Sequence, residues 1–232
     1  MLRVENLSKS FTIHHLGQTR EAISGINLDV AKGGFLGIVG RSGSGKSTIL
    51  KSIYGTYRPD TGRILYDSRD HGPIDIMEIG DHALIHLRKT EIGYVSQFLK
   101  VMPRTTSLEL VTQSLLEMGV GHVEAQAQAK AALEHYDIPE SLWNNYPNTF
   151  SGGEKLRLNI ARATVKAPRL LLLDEPTASL DNASKVKVRE AIAKLKAEGT
   201  TLVGIFHDLE FMEGLCDSVY DMTNQEMRHA LA

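Results

Sequence analysis

The chain has 232 residues, 42% of them apolar and 23% charged, with a formal net charge of −2. That length suits one α/β domain carrying a smaller subdomain, and the near balance of charge gives no electrostatic case for nucleic acid or an anionic membrane as the main partner. A single cysteine (Cys216) excludes intramolecular disulfides and is expected as buried packing. No apolar core follows Met1-Leu2-Arg3 and no apolar run is long enough to span a bilayer, so a cytoplasmic protein is expected.

Leu2 to Asn6 and Ile26 to Val30 alternate apolar and polar residues, as half-buried strands do. Phe35 to Val39 is a short apolar run ending at Gly40, which predicts a buried strand. Ser47 to Tyr54 has helical spacing, with Ile49, Leu50 and Ile53 on one side. Arg63 to Tyr66 and Ile92 to Val95 read as further strands, with a hairpin or loop excursion over 67–90. Residues 98–149 change character. Leu108 to Met118 and the Ala/Gln-rich run Val123 to Tyr136 predict two helices, and Pro139 and Pro147 punctuate the stretch after the second. Leu170 to Leu173 is wholly apolar, Ala183 to Lys196 is helical with Gly199 past its end, and Thr201 to Phe206 is another buried strand. Strand and helix alternate on both sides of the helical insertion, so the parent domain should hold a mainly parallel sheet covered by helices.

Gly40-Arg41-Ser42-Gly43-Ser44-Gly45-Lys46-Ser47-Thr48 fits the phosphate-binding P-loop pattern. Its glycines let the backbone approach phosphate oxygens, successive N–H groups form an anion nest, and the following helix adds its positive end. Lys46 supplies a point charge for ATP phosphates, and the Ser47 hydroxyl is placed for Mg²⁺. The second signal is Leu170-Leu171-Leu172-Leu173-Asp174-Glu175, an apolar strand that delivers two carboxylates at its end. Asp174 is expected to hold Mg²⁺ and Glu175 to orient or deprotonate the attacking water.

Three further pieces narrow the class: Phe150-Ser151-Gly152-Gly153-Glu154 before a helical run, Ala178-Ser179-Leu180-Asp181 after Glu175, and Phe206-His207-Asp208 after a buried strand. In this order the set resembles the ABC (ATP-binding cassette) ATPases along nearly the whole chain. The resemblance implies an α/β P-loop NTPase core of the RecA-like kind, with an antiparallel β subdomain, over 1–96 and 160–232, and an inserted helical subdomain over 97–159. It also implies that Gln97 contacts Mg²⁺ and the attacking water. Ser151, Gly152 and Gly153 would bind the γ-phosphate held by the other subunit. Asp181 would lie at the dimer interface, His207 would sense the γ-phosphate, and Phe11 would stack on adenine. The signature departs from the commonest pattern, with Glu154 and Lys155 where two glutamines are usual.

The stretch Leu87 to Arg104 with its Ser96-Gln97, the signature with Glu last, and Val203 to Asp208 are similar to the L-protein family of bacterial carbon–phosphorus lyase systems. That resemblance implies a homodimer, or a heterodimer with another ABC subunit, serving a soluble phosphonate-degrading assembly. The alternative is the nucleotide-binding subunit of an exporter of the lipoprotein-releasing or macrolide type, whose transmembrane permease would be a separate chain. A docking surface is expected beside Gln97, built by Phe98, Leu99, Val101, Met102 and Pro103. The remaining histidines show no metal-ligand spacing, Trp143 is expected to pack the insertion, and Lys185, Lys187, Arg189, Lys194 and Lys196 to form a solvated face.

Overall fold

The alternation at the start of the chain runs further than its apolar pattern indicates. In the computed structural model, which describes residues 1–13, 17–99, 101, 103–177, 180–207 and 209–229 (residue 209 in its backbone alone), β1 spans Leu2–Ile13 and β2 spans Gln18–Val30. Their outer halves are half-buried along β1 and largely exposed along β2, and they leave only a weak apolar signature. β3 (Phe35–Val39) precedes the P-loop and α1 (Lys46–Ile53) follows it. β4 (Thr61–Ser68), β5 (Gly72–Asp75), α2 (Asp81–Thr90) and β6 (Ile92–Val95) come next. The excursion expected over 67–90 therefore contains both a hairpin strand and a helix. The helix carries little apolar patterning because Leu87 alone of its residues is buried.

α3 (Ser107–Leu116), α4 (His122–His135) and α5 (Gly152–Thr164) form the helical layer. α5 crosses the 159/160 boundary drawn from the sequence. β7 (Leu170–Asp174), α6 (Asn182–Ala197) and β8 (Thr201–Ile205) match their expected spans closely. The short α7 (Leu209–Met212) and the strands β9 (Ser218–Asp221) and β10 (Glu226–His229) close the chain.

Two sheets result among the described residues. The outer one is antiparallel in the order β2-β1-β4-β5, and the central one runs β10-β9-β3-β8-β7-β6, parallel except at the β9–β10 pair. The period of two along β7 explains why that strand is apolar throughout. Leu170 and Leu172 join the cluster shared by α1 and the outer sheet, with Ile49, Leu50, Ile53, Val4 and Ile26. Leu171 and Leu173 join the opposite cluster, with Ile160 of α5, Ile192 of α6, and Val111, Leu133 and Trp143 of the helical layer. Trp143 thus packs the insertion as expected, its indole N–H donating to the Ile138 carbonyl at 2.9 Å, and Cys216 is buried.

The cationic face expected on α6 is a solvated face only in part. The guanidinium of Arg189 donates to the carbonyls of Phe211 and Glu213. Lys196 donates to the Leu215 carbonyl at 2.8 Å and to Asp217 at 2.6 Å. These two residues tie the C-terminal segment to α6, a role that helical spacing does not disclose.

Candidate functional site

β6, β7, β8 and β3 are neighbours in the parallel sheet, so their C-terminal ends lie side by side. Ligands of open α/β sheets bind at that edge. Here it carries Gln97 beyond β6, Asp174 and Glu175 at the end of β7, His207 beyond β8, and Gly40 to Lys46 beyond β3.

Gly40, Gly43 and Gly45 all adopt positive φ, at 148°, 78° and 94°. At Gly45 a Cβ would come within 2.4 Å of both the Ala22 carbonyl oxygen and an Ile23 methyl, so backbone conformation and space both demand glycine there. α1 starts directly after it and points its unpaired N–H groups at the loop. Lys46 is 4% exposed and its ammonium donates to the carbonyls of Gly40 (2.8 Å) and Arg41 (3.0 Å). Burial lowers its pKa, while the carboxylates of Glu175 and Asp174 act in the opposite direction. The hydroxyl of Ser44 is buried without a hydrogen-bond partner among the described residues. A buried orphan hydroxyl inside a ring of positive-φ glycines fits an anion such as an ATP phosphate.

The hydroxyl of Ser47 donates to one oxygen of Asp174 at 2.9 Å, and the phenol of Tyr94 donates to the other at 2.7 Å. A hydroxyl and a carboxylate meeting at the mouth of the P-loop form an oxygen-donor pair of the kind Mg²⁺ takes. Glu175 lies on the other side of the same strand end, at φ 52°, in the left-handed region. Non-glycine residues seldom occupy that region, and such strain clusters at functional sites. The side chain is held from both flanks. Nε2 of His207 donates to one carboxylate oxygen at 2.8 Å, and the amide of Gln97 donates to the other at 3.3 Å. Beside them is a cleft of about 260 Å³, lined by Gln97, Phe98, Gly152, Lys155, Asn159 and Glu175 among others.

Ser151 is the N-cap of α5. Its hydroxyl and backbone N–H both donate to Glu154 at 2.8 Å, and the Glu154 N–H returns to the hydroxyl at 3.3 Å. The residue that departs from the commonest signature therefore completes a capping box. Asp181 caps α6 in the same manner, accepting from the Ser184 N–H at 2.8 Å and the Ser184 hydroxyl at 3.1 Å. That hydroxyl lies 2.6 Å from where a Cβ on Gly153 would sit, so any side chain there would have to push Ser184 off its bond to Asp181.

A family model described as ABC transporter matches residues 23–178. The Bacillus subtilis (strain 168) protein YknY, an uncharacterized ABC transporter ATP-binding protein, is 36% identical over 210 residues, covering 90% of this chain and 88% of its own. The lipoprotein-releasing system ATP-binding protein LolD of Geobacter metallireducens is 38% identical over 210 residues, covering 90% and 89%. The chain belongs to the ABC transporter ATP-binding family. The dimeric structure of a post-hydrolysis state of the ATP-binding cassette MJ0796, bound to ADP and Pi, matches it with a TM-score of 0.90 at 28% identity over the whole of both chains. The protein is accordingly an ABC ATPase, a nucleotide-binding subunit with the α/β P-loop fold and ATP-hydrolysing activity.

Phe11 is half-buried and meets Tyr57 edge-on, ring centroids 5.0 Å apart, with the Lys9 ammonium 5.5 Å from its ring. The apolar segment after Gln97 divides. Phe98 is 65% exposed and Pro103 is exposed, while Leu99 and Val101 pack against the helical core. Met102, Ala178, Ser179 and Asp208 lie outside the described residues, as do His14 and His15. Two contacts at this edge have no sequence motif. Tyr94 touches Asp174, and the Asn159 amide donates to the Ser96 carbonyl at 2.9 Å, next to Gln97. The only available signal was a polar-tipped residue within a largely buried element.

Among the described residues no helix is long and apolar enough to cross a membrane.

Proposed function

We propose that this ABC ATPase hydrolyses ATP as one half of a head-to-tail dimer and serves a soluble carbon–phosphorus lyase assembly in the cytoplasm. The observation that carries the hydrolytic part is the meeting of Lys46, Ser47, Asp174, Glu175, Gln97 and His207 at adjacent strand ends. In this reading the N–H groups from Gly40 to Thr48, the hydroxyls of Ser42 and Ser44, and the Lys46 ammonium hold the phosphates, with Phe11 against the adenine. Ser47, Asp174 and Gln97 hold Mg²⁺, which when bound neutralises phosphate charge. Glu175 orients the attacking water and accepts its proton. His207 now rests on Glu175 and can turn its N–H to the γ-phosphate. Ser151, Gly152 and Gly153 of the partner subunit face the same phosphate with the start of α5, and Asp181 lies at the interface. The core is 1–96 with 160–232 and the helical subdomain is 97–159, with α5 bridging the two.

The lyase assignment is supported by the run from Leu87 to Arg104, with Ser96 before Gln97, and by Val203 to Asp208. A transporter subunit paired with a separate permease is the second reading, favoured by the resemblance to LolD and YknY. Affinity capture of the tagged chain from its native cells separates them. Co-purification of lyase subunits is the expected result. Recovery of a membrane-embedded permease, with lyase subunits absent, would replace the first reading by the second.

A further inference from the structure

The geometry points to Tyr94 as a positioning residue that fixes the Asp174 carboxylate in the orientation in which it receives a divalent cation beside Ser47. The inference rests on the assignment of Asp174 as a metal ligand proposed above. Asp174 is 8% exposed at the last position of β7, and each of its oxygens has one hydroxyl partner, Ser47 at 2.9 Å and Tyr94 at 2.7 Å. A carboxylate only accepts, so both hydroxyls are donors. Ser47 would itself be a ligand of the cation, whereas the bond from Tyr94 holds the other carboxylate oxygen and would set the rotation of the carboxylate from outside the metal site.

Strand register explains why a tyrosine reaches this spot. Tyr94 pairs with Leu172 across the parallel β6–β7 ladder, and Leu172 and Asp174 share a face of their strand. The ring is placed by its neighbours. Tyr54, which ends α1, lies 5.1 Å away between centroids, and the Arg88 guanidinium sits 4.9 Å over the Tyr54 ring. Outer partners that orient a metal ligand are commonly worth 10- to 100-fold in metal affinity.

The test uses the full chain with a non-hydrolysable ATP analogue, reading thermal stabilisation as Mg²⁺ is titrated, so that no turnover enters. Tyr94→Phe is expected to raise the half-saturating Mg²⁺ roughly tenfold or more. Its nucleotide-free melting temperature, and the stabilisation by the analogue in EDTA, should stay those of the parent. Tyr54→Phe, which keeps the ring contact and never touches Asp174, should leave the Mg²⁺ dependence unchanged. Asp174→Asn should shift it further than Tyr94→Phe. A Tyr94→Phe protein with the parent's Mg²⁺ dependence, while Asp174→Asn is shifted, overturns the role of Tyr94 alone. A Tyr94→Phe protein that fails to fold, or loses EDTA-stage stabilisation equally, overturns it in favour of packing. An unshifted Asp174→Asn removes the metal-ligand assignment itself.

Discussion

The ammonium of Lys46 is nearly sealed from water and turned onto the loop's own carbonyls, beside the buried hydroxyl of Ser44. Replacing it with alanine deletes the buried ammonium that would meet the phosphates. Lys46→Ala should weaken Mg·ATP binding by about 3 kcal/mol, roughly a hundredfold, in calorimetry. Unchanged affinity would contradict the P-loop assignment. His207 works at a different stage. It is half-exposed and bonded to Glu175, so its loss should be felt after ATP is bound. His207→Ala is expected to lower kcat by about 10²-fold with little change in KM, the pattern of an interaction made in the transition state. A rise in KM with kcat intact would argue for packing. Most of these residues were legible beforehand because each sits at a fixed offset from a glycine-rich loop or an apolar strand. Tyr94 was not. A tyrosine inside a four-residue strand carries no spacing relation to the aspartate that the neighbouring strand brings beside it.

Elements were legible where one face is buried and obscure where it is not. β7 and β8 announced themselves by continuous apolar runs, whereas α2 buries little beyond Leu87 and did not. What fixes α2 is its end. Glu91, fully buried, accepts from the Ser68 hydroxyl (2.7 Å), the Arg69 N–H (2.9 Å) and the Tyr66 hydroxyl (3.1 Å), while its carbonyl receives the N–H groups of Arg169 and Leu170. It clips β4 of the outer sheet to the start of β7. Burial by itself would raise the Glu91 pKa, but the donors from Arg69, Ser68 and Tyr66 outweigh it and hold the pKa below the usual carboxylate value. A depressed folded pKa stabilises the fold above the unfolded value, and that contribution is lost as pH falls through the folded one. Glu91→Ala strands three donors and should destabilise the fold by about 3 kcal/mol at neutral pH. It should also flatten the loss of stability on acidification below about pH 4. Denaturant melts at pH 7 and pH 3.5 check both, and a variant within about 0.5 kcal/mol of the parent at pH 7 would refute the clip. The two capping boxes, Thr106 with Glu109 and Ser151 with Glu154, show the opposite case, in which a four-residue pattern predicts a helix start by itself.

On the scale of the molecule, the parallel sheet gathers P-loop, carboxylates, glutamine and histidine on one edge, while Ser151 to Gly153 open a helix in the inserted layer. The architecture was legible because strand and helix alternate on both sides of the insertion. The subdomain seam was less so, because α5 is one continuous helix across it and its apolar positions face both layers. In the proposed head-to-tail dimer the signature of one subunit completes the P-loop site of the other, so nucleotide should drive dimerisation. The most direct measurement is size exclusion of Glu175→Gln with Mg·ATP, paired with its hydrolysis rate. Glu175→Gln should bind ATP, lose turnover by at least about a hundredfold, and move from monomer to dimer with Mg·ATP but not with ADP. A variant that stays monomeric at saturating Mg·ATP, or hydrolyses ATP at the parent's rate, would contradict it.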